Sequence, residues 1–282
     1  MSPEKLIAAA VLVSLTFSAG LEVNREHLFT MLKDIGLLGR ALVANFVIVP
    51  ILGLLFVRLF ALPPDIATGV LLMAIAPGVP LILISVRKRG GSLALAVELS
   101  LFLPLLSLVT VPLTAQLLLP PEAVARLPLG HFVVTLLLFQ TVPLLLGVAI
   151  GHRAPAAAPR LARIFRIVFL LALVVLLAAL AQKLAQSVAL IYGSRGMLAM
   201  LCVVVLSMLT GLALGGPARE TRRVLGIATT LRNIGLAALI ATSNFPESSL
   251  VPAAILTYLL IQAVFSALVG IYFTRTAERA PA

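Results

Sequence analysis

Two ionisable side chains stand apart from the rest of the chain. Glu98 and Arg232 each lie inside an apolar run, whereas the other nine acids and twenty Lys and Arg residues fall in or beside the loops between such runs. A charge within a membrane span is disfavoured by about 2.5–3.5 kcal/mol on insertion scales, so it faces a cavity or a partner. Arg232 follows Arg223 by nine residues, about 14 Å along a helix and hence near the middle of a bilayer core about 30 Å thick. Glu98 follows Arg89 by the same interval, but the Gly90-Gly91 turn takes part of it, leaving a depth of about 9–12 Å. A long arginine spans that difference. The two side chains are therefore expected to face one interior space and to pair, which would offset most of the burial penalty of each.

Arg232 does not stand alone. Thr229, Thr230, Asn233 and Gly235 gather at the same depth in the run Ala228-Thr-Thr-Leu-Arg-Asn-Ile-Gly235. A second run reads Met73-Ala-Ile-Ala-Pro-Gly-Val-Pro80. Pro77 and Pro80 each remove a backbone donor and clash with the preceding turn, and Gly78 loosens the chain between them. Membrane prolines also merely kink packing helices, which is how Pro50, Pro104, Pro112 and Pro143 read. The polar cluster in a second, oppositely directed run tips Pro77 and Pro80 towards a true interruption. Paired interrupted spans point to an inverted-repeat transporter whose substrate site lies where the breaks meet. Half-helix N-termini there attract anions, and exposed carbonyls attract cations. The candidate substrate-binding residues are thus Arg232, Asn233, Thr229, Thr230, Pro77 and Gly78.

Other chemistry is sparse. His27, His131 and His152 lie at run ends, far apart, and suggest no metal site. Cys202 is the single cysteine, which excludes a disulfide framework and a cysteine-built metal centre. Ser85, Ser100, Ser107 and Thr110 read as packing hydroxyls, because no intramembrane His or Asp stands ready to activate them. Asn45 and Gln262 are single interior amides that line a cavity or bind helices together. No enzyme activity and no cofactor are expected.

The elements that must position these groups are membrane spans. Apolar residues make up 61% of the 282 and charged residues 11%; a soluble domain is roughly half apolar and a quarter charged. A water-soluble fold and a disordered chain are both excluded. The net charge of +11 suggests a nucleic-acid binder, but the bases sit in short clusters between apolar runs, as membrane topology places them. No nucleic-acid partner is expected. Nine runs are long enough to cross: Pro3–Leu21, Gly36–Phe60, Ile66–Val86, Ser92–Leu119, Gly130–Gly151, Leu161–Gln182, Gly196–Gly215, Thr221–Ser243 and Ser248–Thr274. Period-two alternation is missing, against a β-barrel.

The loops after runs one, three, five and seven, with the C-terminal tail, hold fifteen of the 21 Lys and Arg: Arg25, Lys33, Arg40, Arg87, Lys88, Arg89, Arg153, Arg160, Arg163, Arg166, Arg219, Arg222, Arg223, Arg275 and Arg279. The opposite side holds five: Lys5, Arg58, Arg126, Lys183 and Arg195. That bias puts the first set in the cytoplasm, the N-terminus outside and the C-terminus inside. The expected location is the cell (inner) membrane, as a multi-pass protein whose partners are the lipid bilayer and a small organic anion. The oligomeric state is not legible.

Four segments resemble the bile acid:sodium symporter superfamily. They are Phe17-Ser-Ala-Gly-Leu-Glu22 with the amphipathic stretch to Leu28; Gly69-Val-Leu-Leu-Met-Ala-Ile-Ala-Pro77-Gly78; Arg89-Gly90 with Ser92-Leu-Ala-Leu-Ala-Val97; and Leu225-Gly-Ile with Asn233-Ile-Gly-Leu-Ala-Ala-Leu239. The resemblance implies an all-α membrane protein of nine transmembrane helices in an inverted-repeat arrangement with two broken, crossing helices, lacking the first helix of the ten-helix form. It implies a single transporter domain over 1–282. A panel-like bundle would take residues 3–21, 130–151 and 161–182, and a core-like bundle residues 36–119 and 196–274. Substrate would sit in the crevice between bundles, with Gln140 facing it, and rocking would give alternating access.

The chain departs from that family at the sodium ligands. Sodium-coupled members carry polar oxygens after the Pro-Gly, where this chain has Val79-Pro80-Leu81-Ile82-Leu83. They carry a glutamate where Ala228 stands and a glutamine where Arg232 stands. A guanidinium about 4 Å from a sodium ion would repel it by about 4 kcal/mol at an effective dielectric of 20. The expectation is a sodium-independent transporter in which an Arg232–Glu98 pair replaces the sodium site. Arg232 would bind a substrate carboxylate, hold Glu98 structurally, or exchange between the two. The alternatives are a non-transporting membrane scaffold or sensor on the same fold, or a sodium-coupled symporter with rearranged ligands.

Overall fold

The computed structural model describes residues 2–23, 34–78, 82, 86 and 91–278. Its elements in chain order are α1 (Pro3–Leu21), α2 (Ile35–Leu59), α3 (Pro64–Ile75), α4 (Leu93–Leu118), a single turn at Pro121–Val124, α5 (Leu129–Arg153), α6 (Ala158–Gly193), α7 (Gly196–Leu214), α8 (Arg219–Thr230), α9 (Ile234–Asn244) and α10 (Leu250–Glu278). Seven of these, all but α3, α8 and α9, are long and apolar enough to cross a membrane. The protein is therefore an all-α, multi-pass membrane protein. Within it α3, α8 and α9 are the pieces of the two interrupted runs.

The helix ends follow from local chemistry. Ser2 caps α1 by accepting from the Lys5 amide at 3.3 Å, with Pro3 at the first helical position. Asp34 caps α2 through the Leu37 amide at 2.9 Å, and Ser92 caps α4 through the Leu95 amide at 3.3 Å. The sixth run departs from expectation. Its helix does not stop near Gln182 but continues to Gly193, 36 residues in all. No Gly or Pro lies between Pro159 and Gly193 to end it.

Two prolines that read as ordinary kinks have a different local structure. Five-residue π-helical segments occupy Ala44–Ile48 within α2 and Leu137–Thr141 within α5, and Pro50 and Pro143 follow two residues after each. A proline cannot bond the carbonyl four residues back and its ring crowds it. Those carbonyls belong to Phe46 and Phe139, inside the two π segments. The widened turn accommodates the crowding without ending the helix. Pro104 and Pro112 lie inside the continuous α4.

Small residues set the helix crossings. A Cβ at Gly20 would collide with the backbone of Leu144 and Val148, and one at Gly147 with the backbone of Phe17 and Leu21. Close approach of this kind drives association in lipid, where burying apolar surface gains little. It packs α1 tightly on α5, and α6 packs against α1 as well. Gly211 and Gly226 do the same for α7 and α8, and Gly69 meets Ala254 between α3 and α10. Burial ranks the helices: 61% of the best α1 window is buried, against 17% for α6, which turns Ile167, Leu170, Leu171 and Val174 outward. α1 is a central helix and α6 a lipid-facing one.

Several expectations fall outside the described residues. These are the stretch from Asn24 to Leu28 with Arg25 and His27, Lys33, Val79 to Leu81, Leu83 and Ser85, the bases Arg87, Lys88 and Arg89, and Arg279. Lys183 is described in its backbone alone. Ile82 and Val86 are helical and buried.

Candidate functional site: where the two interruptions meet

The first interruption follows from Pro77. A residue before proline is pushed from the helical region towards extended backbone, and Ala76 is extended at φ −92°, ψ 97°. The second has no proline. Leu231 is extended at φ −72°, ψ 126°, and Asn233 at φ −82°, ψ 90°. The two extended pieces lie against each other: Pro77 and Arg232 form an antiparallel bridge, and the Asn233 amide donates to the Ala76 carbonyl at 3.1 Å. Gly78 makes this approach possible, since a Cβ there would collide with the Leu231 carbonyl and the Arg232 nitrogen.

Unwound backbone at this depth is tolerated only if its polar groups find partners, and they do. The Leu231 amide donates to the Ile227 carbonyl at 2.9 Å and the Arg232 amide to Gln262 Oε1 at 2.8 Å. The Asn233 side chain caps α9 by accepting from the Leu236 amide at 3.0 Å. Gln262, on α10, is therefore part of the crossing, which settles one of its two readings: it binds helices together.

Arg232 is fully buried, at 0% exposure. Its Nη2 donates to the Thr229 carbonyl at 2.6 Å. Nε and Nη1 meet no hydrogen-bond partner among the described residues. The counter-charge is a helix end. Thr229 is in the last turn of α8, whose carbonyls carry partial negative charge, and α3 also ends beside Arg232. A cation at the end of a helix is stabilised by roughly 0.3–1 kcal/mol at the surface and up to about 2 when partly buried. Tyr258 is equally buried, lies within electrostatic reach of the guanidinium, and has no hydrogen-bond partner for its hydroxyl among the described residues. It stands one helical turn from Gln262, on the same face of α10. Sequence reading missed it. The available signal was that four-residue spacing from a polar amide.

The remaining candidates are placed as follows. Thr229 Oγ1 lies 2.7 Å from the Ser207 carbonyl and 2.9 Å from the Leu225 carbonyl, and Thr230 Oγ1 donates to the Gly226 carbonyl at 2.8 Å. Both hydroxyls thus serve helix packing, as Asn233 serves capping. Glu98 is buried, at 3% exposure, on α4. Its flanking residues Val97 and Leu99 share one apolar cluster with Ile227, Ala228 and Leu231. Among the described residues no ion pair joins Glu98 to Arg232, and the guanidinium turns to its own helix end instead. Gln140 does not join the crossing. From the π segment of α5 its Nε2 donates to the Pro104 carbonyl at 3.0 Å and Ser107 Oγ at 2.6 Å, both on α4. Asn45, in the other π segment, donates to the Ala41 carbonyl at 3.0 Å.

No curated protein matches the chain. The model of the Sodium Bile acid symporter family matches residues 9–194, about two thirds of the chain. The matched range runs from α1 through α6 and the turn after it, including the first interruption, and stops before the helices that carry Arg232, Asn233 and Gln262. An all-α membrane protein agrees with that match, which covers more than half of the chain, and the chain belongs to the Sodium Bile acid symporter family.

Proposed function

We propose that the protein is a secondary transporter that moves a small organic anion by alternating access and does so without sodium. The observation that carries this reading is Arg232: a fully buried guanidinium at the meeting of two interrupted helices, with two nitrogens that have no hydrogen-bond partner among the described residues. Helix ends and loosened backbone at such a crossing attract a cation. Here a cation is already attached to the chain. A guanidinium is charged at any physiological pH and offers five donors, so it fills the electrostatic role of a metal ion and keeps donors for an oxyanion. Carboxylates and sulfonates fit that chemistry, and the Tyr258 hydroxyl is a further donor within reach.

The test is a thermal-shift screen of carboxylates and sulfonates on purified protein, followed by uptake of the best stabiliser into proteoliposomes. Stabilisation and flux that are equal in sodium and in potassium support the proposal. A strict sodium requirement refutes the coupling. Neither stabilisation nor flux, over a broad screen, leaves a scaffold on the same fold.

A further inference from the structure

The largest open cavity among those described is remote from Arg232. It has a volume of about 710 Å³ and lies where α1 ends, α5 ends and α6 begins. The Gly20–Gly147 crossing pins α1 to α5 just above it. Beyond that point the chain turns through Pro155 into α6, and the three helix ends enclose a hollow at the rim of the membrane.

Its lining has two characters. Leu21, Val23, Pro155, Ala158, Pro159 and Ala162 are apolar; Arg163, Arg166, His152 and Glu22 are not. Arg163 and Arg166 are three residues apart on α6, so they share a face. Glu22 forms an ion pair with Arg166 and so fixes the guanidinium in the wall. Arg163 makes no hydrogen bond or ion pair among the described residues. His152 Nδ1 lies 2.8 Å from the Val148 carbonyl. One turn further along α6 the exposed surface becomes wholly apolar, through Ile167, Leu170, Leu171 and Val174.

We propose that this cavity binds the phosphate ester of an anionic phospholipid headgroup, with the acyl chains laid along the outer face of α6. Basic pockets between transmembrane helices at the membrane rim suit phosphate oxygens, and an arginine pair presents forked donors to them. A free phosphate ion would use the arginines alone. A lipid also uses the apolar half of the wall and the apolar track that continues from it.

The experiment uses full-length protein, delipidated in a neutral detergent. Native mass spectrometry counts retained lipid and melting reports stabilisation, with phosphatidylglycerol, phosphatidylcholine, glycerol 3-phosphate and inorganic phosphate as separate probes. Phosphatidylglycerol is expected to bind and stabilise, phosphatidylcholine to do so more weakly, and the two soluble phosphates to leave the melt unchanged. Arg163→Gln is expected to weaken phosphatidylglycerol by about fivefold. It breaks no hydrogen bond or ion pair among the described residues, so its own melt is expected to stay near the wild-type value. Arg166→Gln adds a second loss, scored only if its lipid-free melt stays within a few degrees of wild type. Equal phosphatidylglycerol binding by wild type and Arg163→Gln overturns the site. Stabilisation by inorganic phosphate as large as that by the lipid overturns the lipid as its source.

Discussion

A guanidinium sealed away from water is stable only where something answers its charge, and at Arg232 the answer is the carbonyl dipoles at the end of α8, with the Thr229 carbonyl accepting from Nη2. Replacing a buried charge by an apolar side chain of similar volume is often neutral or stabilising. Arg232→Met is therefore expected to fold and to melt at or above the wild-type temperature, while losing all stabilisation by carboxylates and sulfonates. A variant that melts far lower would mean that the guanidinium is structural first. Asn233 makes the opposite case. Its side chain caps α9, so Asn233→Ala is expected to lower stability by about 1 kcal/mol. Anion binding should stay within about twofold of wild type once melting is accounted for. Both are candidate substrate-binding residues in the sequence; in the structure the Asn233 side chain is engaged as a helix cap, while Nε and Nη1 of Arg232 have no hydrogen-bond partner among the described residues.

At the scale of elements, the crossing depends on Gly78 lying flat against Leu231 and Arg232. Gly78→Ala inserts a methyl group into backbone that has nowhere to move, and is expected to destabilise by about 2–3 kcal/mol, as overpacking does. Gly39→Ala is the control: nothing lies within 4 Å of its added Cβ, so it should melt unchanged or slightly higher. Thermal unfolding in detergent compares the pair, and equal losses would argue against the close approach at Gly78. The same crossing explains what the sequence could reveal. The break at Pro77 was legible because a proline excludes helical backbone before it. The break at Leu231 was legible only indirectly, through the polar cluster around Arg232 and the family resemblance, because no local residue forces it. It is held by an amide from α10 and a carbonyl from the end of α3, partners that a linear reading cannot assign. The π segments stayed hidden for a similar reason: a proline announces that the turn before it must change, but not how. Gln140, expected to face the crevice between the bundles, reaches from α5 to α4, a partner that its position in the sequence could not assign.

At the scale of the molecule, basic residues mark the two ends unequally. Arg153, Arg160, Arg163 and Arg166 crowd the turn between α5 and α6, and Arg219, Arg222 and Arg223 the start of α8, whereas Arg58, Arg126 and Arg195 are scattered singly at the expected opposite side. Such asymmetry sets membrane orientation because clustered bases are retained on the cytoplasmic side. The expected arrangement has the Arg-rich end inside, where anionic headgroups and the cavity between α1, α5 and α6 would meet. Arg160 and Glu122 are both exposed, one at each end, and Cys202 is the single native cysteine, so a Cys202→Ser background makes both positions individually addressable. In intact cells a membrane-impermeant maleimide is expected to label Glu122→Cys and not Arg160→Cys; after lysis it should label both. The reverse pattern would invert the molecule in the membrane and move the lipid cavity to the outer leaflet. Labelling of both from outside would place the two ends on one side and require that a span be removed from the count, which in turn would break the opposed directions of α3 and of the α8–α9 pair on which the inverted-repeat reading rests.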